Sequence, residues 1–121
     1  MPHDANSYDD ERQLTSYIWH NYRHLLTPLE ALTDKTLLAE SKAEHASETM
    51  AALLRQRWSA MDNPDVVAEL ADGSDAFRNR VRNRIVRECA DRIVINRCPK
   101  CSRLVVTPKA RQCLWCGHDW H

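Results

Sequence analysis

The sequence predicts a mainly α-helical chain that ends in a small β-hairpin zinc ribbon, on three observations. Apolar residues recur at steps of three and four up to about residue 92, without strand alternation. Only two glycines, Gly73 and Gly117, occur in 121 residues. Two CxxC pairs, Cys98-Pro-Lys-Cys101 and Cys113-Leu-Trp-Cys116, close the chain with eleven residues between them. Zinc asks for four ligands in a tetrahedron, and a hairpin that brings two CxxC turns together supplies four thiolates. The organisation expected is a helical domain over 1–92, with 1–6 a loose tail, and a ribbon over 93–121.

Each element has a local reason. Ser7 is positioned to cap a helix reaching about Leu26, with Asp9, Asp10 and Glu11 at its positive end. Its apolar stripe is Leu14, Tyr17, Ile18, Tyr22 and Leu25. Thr27-Pro28-Leu29-Glu30 is a capping box with proline at the first helical position. From Leu29 a stripe through Leu32, Thr36, Ala39, Ala43, Ala46, Met50 and Leu53 fits one helix to about Trp58, or two joined near Ser47. Asn63-Pro64-Asp65 opens a short helix that Gly73 ends. Ser74 caps another to about Arg92, with Phe77, Val81, Ile85 and Cys89 as its core stripe. Ile93-Val94-Ile95 and Leu104-Val105-Val106 then read as the strands of the ribbon. No internal repeat is visible.

Other readings of the cysteines fit less well. Disulfides need an oxidising compartment, and Met1 to Arg12 is polar and acidic, unlike a secretory signal. A redox CxxC belongs in an alternating strand–helix pattern that this chain lacks. Iron would suit similar turns set in a longer loop. One structural zinc in a cytoplasmic protein is the expectation. A ribbon of about thirty residues buries little core, so the metal would supply much of its folding free energy, on the order of 10–16 kcal/mol.

Cys98-Pro-Lys-Cys101-Ser and Cys113-Leu-Trp-Cys116-Gly resemble the knuckles of the zinc-ribbon class. There a small residue after each CxxC allows a turn whose N–H groups point at sulfur. Ser102 stands where the class usually has glycine. Residues 96–121 are also similar to the C-terminal ribbon of small uncharacterised bacterial proteins with a helical front. The resemblance implies a fold and a metal, and no activity.

Net charge is zero but divided. Fourteen acidic against six basic residues lie up to Asp75, and three against eleven lie beyond it. Either the halves attract one another or a basic surface is available to a polyanion. Arg80, Arg84 and Arg87 share a helix face within about 60°. With Lys100, Arg103, Lys109 and Arg111, and with Trp115 as a stacking or anchoring group, they form the candidate binding surface. A solvated arginine face is the plainer reading. Arg78 and Arg82 fall near the core stripe and are expected to pair with acids of the front helices.

His20 and His24 have metal-sharing spacing but no HExxH context, and read better as a polar helix face. His118 and His121 follow the second knuckle, where four thiolates already fill the shell. Cys89 reads as a small core hydrophobe, Trp19 and Trp58 as core, and Trp120 as packed on the ribbon. No catalytic triad or nucleophile motif occurs, few glycines exclude phosphate-loop and dinucleotide fingerprints, and no run spans a membrane. The expectation is a non-enzymatic adaptor that recognises a protein. The alternative is a nucleic-acid-binding or transcription-associated regulator using the basic C-terminal part.

Overall fold

The computed structural model describes residues 7–121; the tail expected over 1–6 lies outside them. The order is α1 (Asp10–Asn21), a 3-10 turn (Arg23–Leu25), α2 (Pro28–Glu44), α3 (Glu48–Trp58), α4 (Pro64–Glu69), α5 (Ser74–Glu88) and a 3-10 turn (Ala90–Arg92). No strand forms among the described residues, and none of their helices is long and apolar enough to cross a membrane. The chain divides into two compact units, Met1–Leu25 with Arg82–His121, and Leu26–Val81. The division falls within α5, so the cysteine-rich segment shares a unit with α1.

In Leu26–Val81 the capping signals act as read. Thr27 accepts from the Glu30 N–H and the Glu30 carboxylate accepts from the Thr27 N–H. The long apolar stripe is two helices, because Ser47 caps α3 by accepting from the Met50 N–H. The break resets the helical register. Ala39, Ala43 and Ala51 are buried, and these small side chains suit close packing of α2 and α3. Met50 and Leu53, expected on the core stripe, are left exposed. Trp58, also expected in the core, is exposed with the Lys35 Nζ 4.5 Å from its ring centre. The Thr36 hydroxyl accepts from the Ala60 N–H at 3.0 Å and ties down the chain after α3. Asn63 caps α4, and Val66 contributes a fully buried side chain.

In the other unit, α1 buries Tyr17, Ile18 and Trp19. Its cap is Asp9, which accepts from the Arg12 N–H, rather than Ser7, and it stops at Asn21 before the 3-10 turn. The α5 stripe is as expected, with Ile85 and Cys89 buried in this unit and Phe77 and Val81 buried in Leu26–Val81. The helix ends at Glu88, short of Arg92, and gives way to the 3-10 turn. Arg82 is buried and donates to the Glu11 carbonyl and the Thr15 hydroxyl of α1. A backbone carbonyl and a hydroxyl thus receive a guanidinium for which a carboxylate partner was expected.

The expected hairpin between 93–95 and 104–106 is not formed. Hydroxyls of Tyr17 in α1 and of Tyr22 just after it take the backbone groups a ladder would have used. Tyr22 accepts from the Val94 N–H at 2.7 Å, while Tyr17 donates to the Val94 carbonyl and accepts from the Asn96 N–H at 3.3 Å. Leu104 donates its N–H to the Tyr8 hydroxyl at 3.0 Å. What remains is two isolated antiparallel bridges, Arg97 with Leu104 and Gln112 with Asp119.

Candidate metal centre

Those two bridges frame two equivalent turns. The Cys98 N–H donates to the Arg103 carbonyl and the Ser102 N–H to the Cys98 carbonyl, each at 2.9 Å. Fifteen residues later, the Cys113 N–H donates to the His118 carbonyl at 2.8 Å and the Gly117 N–H to the Cys113 carbonyl at 2.9 Å. The outer bonds repeat too, Val105 to Asn96 and Trp120 to Arg111. This structural repeat is hidden in the sequence because, across 96–105 and 111–120, only the cysteines coincide. The residue after each CxxC is left-handed, at φ 66° for Ser102 and 81° for Gly117. Glycine adopts that conformation without cost; serine does not.

The repeat brings the sulfurs together. Cys98 Sγ lies 3.7 Å from Cys116 Sγ and Cys101 Sγ 3.6 Å from Cys113 Sγ. All four are within 4.8 Å of one another and form the one metal-competent group of histidine, cysteine or carboxylate side chains among the described residues. A regular tetrahedron with metal–sulfur bonds of about 2.3 Å has edges of about 3.8 Å. The four cysteines therefore fit a single tetrahedral ion, without a disulfide between any of them. The N–H groups of Lys100 and Cys116 point at the sulfurs of Cys98 and Cys113, at 3.4 and 3.5 Å, and stabilise negative charge there.

Burial alternates around the cluster. Cys98, Val105 and Cys113 are buried together, and half-buried Cys101 and Cys116 pack against them with Ala110, Trp115 and Trp120. Burial pushes the Cys113 thiol up to about 11. Burial also raises half-buried Cys101, but the Arg103 N–H and the surrounding sulfurs more than offset it and bring that thiol down to about 7. Crowded sulfurs share few negative charges unless a cation joins them.

Trp115 meets the Tyr8 ring edge-on at 5.0 Å, and the Arg103 guanidinium lies 5.6 Å over Tyr8. Trp120 packs back on the cluster and is stacked by the His118 ring at 5.7 Å. His118 thus meets the site through its carbonyl and through Trp120. His121 bonds Asp119, His24 lies against Tyr22, and His20 is exposed.

The arginine face is largely engaged within the fold. Arg80, in the Leu26–Val81 unit, pairs with Asp72 and Glu69, and the Asp72 carboxylate raises its pKa further. Arg84 donates to the Leu25 carbonyl at 2.9 Å and sits 3.6 Å from Glu88. Arg87 is 3.8 Å from the same carboxylate. Lys100, Lys109 and Arg111 are exposed and form no side-chain ion pair among the described residues. Residues beyond the reach of sequence reasoning are Asn96, which donates to the Thr107 and Ala110 carbonyls, and Tyr8. Their partners are distant in sequence, and no motif announces them. No family model, curated protein or solved structure matches the chain.

Proposed function

We propose that Cys98, Cys101, Cys113 and Cys116 hold one structural zinc ion in a zinc-ribbon-like pair of knuckles, in a non-enzymatic adaptor that recognises a protein partner in the cytoplasm. The observation that carries the metal is the convergence of four sulfurs within 4.8 Å of one another, with two cross-knuckle pairs at 3.6 and 3.7 Å, close to a tetrahedral edge. Zinc suits an all-thiolate tetrahedral shell, and four thiolates leave no position for water or substrate. The ion would supply cohesion between the turns rather than chemistry.

Support for protein recognition is a groove of about 420 Å³ beside the second knuckle. Tyr17 and His20 of α1 form one wall; Val106, Leu114 and Trp115 form the other. Tryptophan and tyrosine beside apolar surface are the side chains that most often anchor protein partners. The decisive first test is metal content and X-ray absorption of purified protein. One zinc per chain with four sulfur neighbours near 2.3 Å is expected; absence of zinc, or oxygen in the shell, would defeat the reading.

The unpaired Lys100, Lys109 and Arg111 favour a second reading, phosphate binding by this same part of the chain. Three contacts would give a log–log salt slope of about −2.7 for duplex DNA in fluorescence anisotropy. No binding at low salt would leave the protein reading alone.

A further inference from the structure

We infer that the exposed face of the α2–α3 hairpin is a self-association surface whose occupant is a second copy of this chain. The surface lies wholly in Leu26–Val81 and needs nothing from the metal centre. In α3 the side turned to α2 is marked by buried Ala51 and by Arg55, whose Nε bonds Glu40 of α2 at 3.2 Å. At 100° per residue, Met50, Leu53, Leu54 and Arg57 fall together on a different face, about 100° wide. That face is bare: Met50 is 49%, Leu53 54% and neighbouring Trp58 42% exposed around a shallow groove of about 520 Å³. Leu38 of α2, one turn beyond Lys35, is exposed as well.

Charge selects the occupant. Lys35 Nζ lies 4.5 Å and Arg57 Cζ 5.6 Å from the Trp58 ring centre, and neither has a carboxylate partner among the described residues. The same unit carries the opposite patch. Exposed Met61 and Val67 are interleaved with Asp62 and Asp65, which form no ion pair among the described residues. One chain thus presents apolar surface edged with unpaired cations and apolar surface edged with unpaired anions. In a two-fold pair the basic patch of each copy meets the acidic patch of the other, so both are satisfied twice. The bare side chains of the basic patch offer on the order of 400 Å² each copy, against roughly 800 Å² in a standard interface, so the pair is weak.

The test is sedimentation equilibrium from about 1 to 200 µM protein, where a weak interface of this size is populated. The expected result is a monomer–dimer equilibrium with micromolar dissociation constant that weakens as salt rises. Leu53→Glu should weaken it at least tenfold with an unchanged circular dichroism spectrum, since Leu53 contributes little to the core. Arg57→Glu and Asp65→Lys should each weaken it, and an equimolar mixture of the two should recover the wild-type constant. In that mixed pair one contact is reversed in sign and the other is native. A monomer throughout the range, a dimer indifferent to Leu53→Glu, or a mixture no tighter than its components would each overturn the inference.

Discussion

Arg97 grips Asp10 with two nitrogens, Nη1 to Oδ1 at 2.8 Å and Nη2 to Oδ2 at 3.2 Å. The pair joins the first turn of α1 to the residue before Cys98, so the first knuckle is anchored on helix rather than on a second strand. Arg97 also donates to the Ser102 carbonyl inside the knuckle, which gives one guanidinium both ends of the turn. The Arg97 hydrogen bonds, and then the Tyr8 hydroxyl, hold the Asp10 carboxyl below its ordinary value.

Asp10→Asn should therefore destabilise the protein modestly. Both side chains are more than a third exposed, which limits the loss to about 0.2–1 kcal/mol. Because the folded pKa is depressed, this contribution is fully present above about pH 4 and disappears as pH falls through the lower folded value. Urea denaturation of both proteins at pH 7 and pH 3 should show the difference shrinking on acidification. A difference that grew would contradict the pairing.

Cys98→Ser should lose metal, since three thiolates and a hydroxyl bind zinc far less tightly than four thiolates. The helices should survive in large part, because Leu26–Val81 has its own capped helices and buried side chains. Metal analysis with far-UV circular dichroism, before and after a strong chelator, checks both halves of this expectation. Complete loss of helicity on metal removal would refute the second.

Metal affinity should fall as pH falls, because protons and metal compete for the same sulfurs. With Cys113 pushed up to about 11, the metal-free cluster carries protons at neutral pH that loading must expel. Competition against a chromophoric chelator at pH 8 and pH 6 should show the weaker retention at pH 6. A flat profile would mean that the thiols are not the ligands.

The two knuckles should respond oppositely to a methyl-sized change. Ser102→Gly relieves a left-handed serine and should stabilise, by about 0.5–1 kcal/mol after the added chain entropy of glycine. Gly117→Ala imposes that strain and should destabilise by about 1 kcal/mol, although no atom lies within 4 Å of the new methyl group. Thermal denaturation of the zinc-loaded variants measures both; equal signs would mean that steric crowding, rather than backbone conformation, governs these positions.

Ile85→Ala tests the core stripe. Its side chain is fully buried on the stripe legible in the sequence, and truncation should cost about 2–5 kcal/mol. Denaturant unfolding that moved by less than 1 kcal/mol would place Ile85 outside the core.

By itself, the sequence determined whatever rests on neighbours within a turn or two. The Thr27–Glu30 capping box, the Asn63-Pro64 start, the α5 core stripe and the four clustered cysteines were all legible, because caps, helical faces and CxxC turns are short-range geometry. Tertiary structure decided where distant groups compete. Tyr17 and Tyr22 take the backbone of 94–96 and prevent a strand that β-branched residues favour locally. Ser47 resets the register so that Ala51 is buried and Trp58 is not, and Asp72, Glu88 and the Leu25 carbonyl engage arginines that looked free. Propensity is worth tenths of a kcal/mol per residue, whereas a buried hydroxyl–backbone bond or a packed side chain is worth about 1 kcal/mol or more, so the distant partners prevail.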